Sequence, residues 1–206
     1  MSNFTESVVE DAALEWLQDL GYSILHGPEI AAGETAAERS DPNYGDVLLE
    51  KRLRTALKRL NPTLPIEAIE DAFRRLTRAD EPSLVTTNHA FHQRLVDGVT
   101  VEYTRNDGSI GGALVRVFDF DNPENNDWVA VNQFTIVEGQ STRRPDVLIF
   151  VNGLPVAVME LKNAADENAT TKSTILSAFV QSMQSPFENA PRGRHGPGGT
   201  LIMPCP

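Results

Sequence analysis

Cysteine is almost missing from this chain of 206 residues. Cys205 stands alone near the C-terminus, which excludes an internal disulfide framework and suits a reducing compartment. Long apolar runs are missing as well. The best candidate, residues 147–159, is broken by Asn152, Gly153 and Pro155, so no membrane span is expected. The first twelve residues lack the basic start and apolar centre of a secretory signal, and a cytoplasmic location is the expectation. Basic residues are scarce: 18 Lys and Arg face 29 Asp and Glu, for a formal charge of −11. At face value that argues against a free-standing nucleic-acid binder, whose affinity comes largely from Lys and Arg. No phosphate-binding loop of the form G-x-x-x-x-G-K-[ST] occurs. Gly196-Pro197-Gly198-Gly199-Thr200 lacks the lysine, so ATP is not expected to bind. Ser7, Ser109 and Ser141 sit in no nucleophile-elbow pattern.

With 40% hydrophobic and 23% charged residues, the composition fits one compact domain. Ser7 and Glu10 fit a capping box ahead of Val9, Ala12, Ala13, Trp16, Leu17 and Leu20 at helical spacing, and Gly21 closes that helix. Residues 22–26 read as a short strand and 27–45 as a surface loop. Helices are predicted over 46–60, 65–78 and 88–96. Strands follow over 99–105 and 113–120, around the turn Asn106-Asp107-Gly108, then over 128–137, 147–151 and 156–161. A further helix is expected over 174–183. Residues 1–185 then form one domain with a helical insert at 46–96, and 186–206 a divergent, flexible tail. The order of elements implies an α/β fold with a central mixed, mostly antiparallel sheet flanked by helices. Trp16 and Trp128 read most simply as core aromatics. Asp119, Asp121, Glu124 and Asp127 read as a solvated turn without calcium-site spacing. His89 and His92, three apart on a helix, favour ordinary histidines over metal ligands, and His26 and His195 are isolated.

Charge is unevenly spread. Residues 46–78 hold eight basic residues against five acidic ones, a local excess of +3. The bland reading is a solvated helix face; the functional one is a phosphate-facing strip.

The informative segment is Arg144-Pro145-Asp146, then thirteen residues, then Glu160-Leu161-Lys162. Asp146 opens one apolar strand, and Glu160 and Lys162 close the next. Strand alternation puts Glu160 and Lys162 on one face and Leu161 on the other. Charged groups ending two otherwise buried strands need compensation. A Mg²⁺ ion on the two carboxylates supplies it, with waters, phosphate oxygens and the Leu161 carbonyl as further ligands. Such a metal activates water and offsets charge on a phosphate, and Lys162 would sit beside that water. The assembly best supports phosphodiester hydrolysis; the plain alternative is a surface ion cluster at a sheet edge. Register gives a test. A two-residue turn at Asn152-Gly153 puts Asp146 opposite Met159, and only an odd-length connection or an equivalent bulge puts it opposite Glu160.

The same residues resemble a known family, the N-terminal nuclease domain of type I restriction enzyme R subunits, a branch of the PD-(D/E)xK nucleases. The resemblance covers about residues 5–181. It is carried by Leu60-Asn61-Pro62-Thr63-Leu64-Pro65, by Asn132-Gln133-Phe134, and above all by residues 144–155 continued as Glu160-Leu161-Lys162-Asn163. It implies a restriction-endonuclease-like fold and a site-specific deoxyribonuclease acting on double-stranded DNA with methylation and specificity subunits. ATP-driven translocation belongs to the full-length family. By resemblance Asp146 and Glu160 bind Mg²⁺ (or Mn²⁺), Lys162 is the catalytic lysine, and Gln181 is a glutamine that supports cleavage. Candidate DNA contacts are Arg143, Arg144, Lys51 and Arg52. The family adds an acid on the first helix. Glu10 is the choice, since Ala13, Leu14 and Leu17 put it at the border of the buried face; Glu6 is second, and a capping role with Ser7 is as good a reading. The sequence departs from the family where a tyrosine is expected, at Ser185, and in its missing motor loop, as a truncated or frameshifted gene would produce. A non-catalytic remnant that docks on DNA or partner subunits is the alternative, and a nuclease or repair module outside restriction is a third, weaker reading.

Overall fold

The computed structural model describes residues 6–78, 84–105 and 107–161. Lys162, Gln181, the helix expected over 174–183 and the tail 186–206 lie outside the described residues.

Four strands form the central sheet: β1 (Ser23–His26), β4 (Trp128–Asn132), β7 (Val147–Val151) and β8 (Leu154–Met159), in that spatial order. β1 runs parallel to β4, and the other two pairings are antiparallel, so the sheet is mixed as expected. The helix α1 (Glu6–Asp19) covers one face. Its Leu14 and Leu17 pack with Ile24, Ala130, Val147, Ile149 and Met159. The sheet-facing stripe is thus half-buried Val9, Glu10, Ala13 and Leu14 with buried Leu17, rotated from the face that the apolar residues alone suggested. Trp16 pays for that rotation by being 60% exposed, which corrects its reading as a core aromatic. Trp128 is half-buried, edge-on to Tyr22 at 5.5 Å.

The opposite face is closed by Ile30, Leu49 and Phe134 against Val129, Val131, Leu148 and Phe150. Residues 27–45 are therefore not merely a surface loop. Arg39 is buried there, with its guanidinium 4.2 Å from the Phe134 ring centre and bonded to the carbonyls of Thr135 (2.6 Å) and Asp46.

Between β1 and β4 stand α2 (Glu50–Leu60), α3 (Ile66–Thr77), α4 (Leu84–Asp97) and the hairpin β2 (Val99–Thr104)–β3 (Ile110–Val115). They share a second core of Leu53, Leu57, Ile69, Phe73, Leu76, Val101 and Val115. α2 starts four residues later than the spacing predicted. Val47 and Leu49 are both buried, and the Leu49 N–H donates to the Gly153 carbonyl at 3.0 Å, so this stretch docks before the helix begins. β3 starts earlier than predicted because Gly111 lies opposite Tyr103 and leaves room for Arg105, whose Nε would stand 2.8 Å from a Cβ there. Asp119 is buried, not solvated; it accepts from the Asn125 amide and the Asn122 N–H, which hold its carboxyl below the usual range.

The strand predicted over 128–137 is two: β4, and β5 (Ile136–Glu138) paired with β6 (Ser141–Arg143). Between them Gln133 has a left-handed backbone, φ +55°. Gly27 makes the kink possible, since a Cβ there would fall 2.5 Å from the Gln133 carbonyl oxygen.

The Asn152-Gly153 turn joins β7 to β8 with both φ positive, 52° and 81°, as a tight primed hairpin turn requires. Asn152 is fully buried. Its amide donates to Val117 O and Asn126 Oδ1, each at 2.9 Å, and its Oδ1 accepts from Asp127 N–H (2.8 Å) and Arg59 (3.2 Å). Replacing Asn152 with Ala strands several of these groups without water, and each buried unsatisfied group costs about 1–3 kcal/mol. The expected loss is roughly 2–4 kcal/mol in urea unfolding; an unchanged midpoint would mean that the network does not hold the turn.

Candidate functional site

The two-residue turn pairs Val151 with Leu154 and Phe150 with Pro155, but Ile149 pairs with Ala157 and Val147 with Met159. Val156 is the extra residue of a β-bulge, which shifts the register by one between Ile149 and Phe150. Continued by one position, the register brings Asp146 opposite Glu160, the arrangement that an equivalent bulge was required to give. The burial agrees. Met159, Ala157 and Leu161 face α1 with Val147 and Ile149, while Val158 faces the other way with Leu148. Asp146 and Glu160 share the parity of Leu148 and Val158, and so one face.

Asp146 is half-buried and Glu160 exposed. The Leu161 N–H donates to Asp146 Oδ2 at 2.6 Å, tying the end of β8 to the start of β7. His26, Asn132, Val147 and Met159 form one row of paired residues across the sheet. Gly27, Gln133, Asp146 and Glu160 each stand one residue beyond that row along their chains, and the Gln133 N–H donates to the Asp146 carbonyl at 3.3 Å.

Glu10 reaches this margin from α1. Asn132 Nδ2 donates to its Oε1 at 2.8 Å, and Gln133 Nε2 lies 3.3 and 3.2 Å from its two oxygens. The carboxylate therefore bonds across to β4. Among the described residues no three His, Cys, Asp or Glu side chains converge to hold a metal ion, so Glu10, Asp146 and Glu160 do not form one three-carboxylate cluster. The donor chemistry that Asp146, Glu160 and the Leu161 carbonyl offer is all hard oxygen, which fits Mg²⁺, an ion that keeps several waters and needs only one or two carboxylates.

The basic candidates divide. Arg143 ends β6 and Arg144 follows it; both are exposed, immediately before buried Pro145 and Asp146. Arg52 is committed elsewhere. Its Nη1 contacts Asp127 at 2.9 Å and its Nε and Nη2 bond Glu38, which with Asp127 outweigh burial and hold the guanidinium protonated. Lys51 is exposed with Nζ 3.5 Å from the Ala37 carbonyl. Both belong to the Gly153 end of β7, a strand's length of roughly 17 Å from the carboxylates. A groove of about 730 Å³ between α3, α4 and β2, lined by Arg74, Arg75, Arg78 and Arg94 with Asp71 and Asp97, is separate from the carboxylate row. His89 and His92 are exposed on α4.

Comparison with known proteins adds what the geometry does not give. The model of the family described as "Type I restriction enzyme R protein N terminus" matches residues 3–194. The chain belongs to this family. It is 39% identical over 177 residues, 85% of its length, to the type I restriction enzyme HindI endonuclease subunit of Haemophilus influenzae. It is 34% identical over 168 residues, 80% of its length, to the putative type I restriction enzyme MjaIXP endonuclease subunit of Methanocaldococcus jannaschii. The chain spans only 16% of the length of each relative.

Sequence reasoning missed His26, whose ring Nδ1 lies 2.9 Å from Asn132 Oδ1, and the side-chain role of Asn132 and Gln133. Two amides ending an apolar strand were the available signal for the second; strand pairing alone reveals the first. For Arg52, substitution by Leu should cost about 1–2 kcal/mol, as expected for partly buried ion pairs. A urea midpoint equal to wild type would show that the Glu38 and Asp127 contacts contribute nothing.

Proposed function

We propose that this domain carries the Mg²⁺-dependent DNA-cleaving centre of a type I restriction system, on a restriction-endonuclease-like fold. The observation that supports this reading is the bulge-shifted register of β7 and β8, which carried one pair past Val147 and Met159 would put Asp146 opposite Glu160, with the Leu161 N–H on Asp146. The family and the two relatives named as endonuclease subunits support it.

Asp146 and Glu160 supply the anionic oxygens, and the Leu161 carbonyl a neutral one. Bound Mg²⁺ supplies Lewis acidity: it lowers the pKa of water and offsets charge on the scissile phosphate. By resemblance Lys162 is the catalytic lysine, whose ammonium would orient the attacking water and add positive charge near the phosphate. Gln181 supports the substrate by resemblance. Arg143 and Arg144 neutralise phosphates beside the scissile bond. They have no ion pair among the described residues, unlike Arg52, Arg54, Arg74, Arg75 and Arg116. The target is double-stranded DNA, and the partners are the methylation and specificity subunits in a cytoplasmic complex. ATP-driven translocation belongs to the full-length family.

Supercoiled plasmid with Mg²⁺ tests the reading. Wild type should nick it, and Asp146→Asn, Glu160→Gln and Lys162→Ala should each lower the rate at least about 100-fold, the scale of losing one transition-state contact. Nicking that survives Lys162→Ala removes the lysine from the chemistry; no nicking by wild type would instead favour a module that only docks. Changing both Arg143 and Arg144 to Ala should lower the slope of log affinity against log salt by about 2, one counterion per lost phosphate contact.

A further inference from the structure

The outer strand of the β5–β6 hairpin buries nothing. All three residues of β6 are exposed, and so are Gly139 and Gln140 at the turn and Arg144 beyond it. The turn has two residues, with glycine in the left-handed first position at φ +58°, as tight hairpins favour. β5 is half-buried by contrast, and its Ile136 packs on the core that holds Phe134 and Phe150. The Val137 N–H donates to the Tyr44 carbonyl at 3.0 Å. Val137 and Thr142 are therefore a pair without mutual hydrogen bonds, which turns the Thr142 N–H to the outer edge of the ribbon. That edge pairs with no strand among the described residues. Residues 140–144 read Gln-Ser-Thr-Arg-Arg, five side chains that each carry a donor, two of them cationic and none acidic. None has a hydrogen bond or ion pair among the described residues. The hairpin's acid, Glu138, is half-buried opposite Ser141, on the face away from Thr142. Protection of a sheet edge does not account for this composition, since a strand of three residues is already protected by its shortness.

We propose that residues 140–144 form a rail for the sugar-phosphate backbone of duplex DNA. The side chains of Gln140, Ser141 and Thr142 and the Thr142 N–H bond phosphate oxygens next to those that Arg143 and Arg144 neutralise. The rail rests on the reading of this domain as DNA-cleaving in one respect only, that duplex DNA is the ligand. Uncharged donors of this kind, together with guanidinium groups, fix the register of a protein on a duplex without reading its sequence. Only Pro145 separates the rail from Asp146 along the chain.

Fluorescence anisotropy on the full chain tests it, in EDTA, with two short duplexes of unrelated sequence and the melting temperature of every variant recorded. Gln140→Ala, Ser141→Ala and Thr142→Val combined should weaken binding to both duplexes roughly 10-fold, the scale of a few net hydrogen bonds. The slope of log affinity against log salt should not change, because no charge is lost. Thr142→Lys should tighten binding and steepen that slope by about 1, a gain that a loosened fold does not produce. Melting temperatures should match wild type, since these side chains are exposed. Unchanged affinity in the triple variant overturns the rail, and so does Thr142→Lys without effect. A loss confined to one duplex also overturns it, because the contacts would then read bases. Duplex binding with the expected losses, but no cutting by wild type in Mg²⁺, supports the rail and overturns the nuclease reading alone. Absence of duplex binding in wild type overturns both.

Discussion

Which side of the sheet the strand ends present is decided by one inserted residue, Val156. A hairpin with two turn residues and no bulge leaves Asp146 and Glu160 facing opposite ways, because side chains alternate strictly along a strand. The inserted residue reverses the parity of everything after it. Val158 then faces Ile30 and Phe134, while Met159 and Leu161 face α1. Core packing and candidate chemistry depend on the same shift, so neither can change register without the other. Pro155 sits at the irregular pairing, where its missing N–H interrupts no regular ladder.

The sheet divides its work between its ends. At the turn end, Asn152, Asn126, Asp127, Arg59 and Arg52 form a satisfied polar network that ties α2 to the sheet. At the other end lie Gln133, Asp146 and Glu160 and the exposed Arg143 and Arg144. For an acidic chain, where the unpaired cations stand matters more to a phosphate than how many there are in total.

The elements were legible where periodicity was strong. α3, β2, β7 and the mixed order of the sheet follow from the spacing of apolar residues in each segment. The boundaries that moved did so for tertiary reasons: Leu49 is drawn into the core before α2 starts, and Gly27 permits the kink that splits the strand at Gln133. The register beside Asp146 was not legible, since the turn dipeptide alone gives a pairing without the bulge at Val156. Arg52 looked like a free cation because its partners, Glu38 and Asp127, lie 14 and 75 residues away. His26 carried no local pattern at all.

The parallel pairing of β1 with β4 joins segments separated by about a hundred residues. Closing so wide a span costs chain entropy on the order of 4 kcal/mol, whereas the meander from β4 to β8 closes through short connections. Early structure therefore favours the meander and the α2 to β3 segment, and the N-terminal helix and strand gain their contacts late. Glu10 and His26 both travel on that segment, so their contacts with Asn132 and Gln133 wait on the widest loop closure of the sheet.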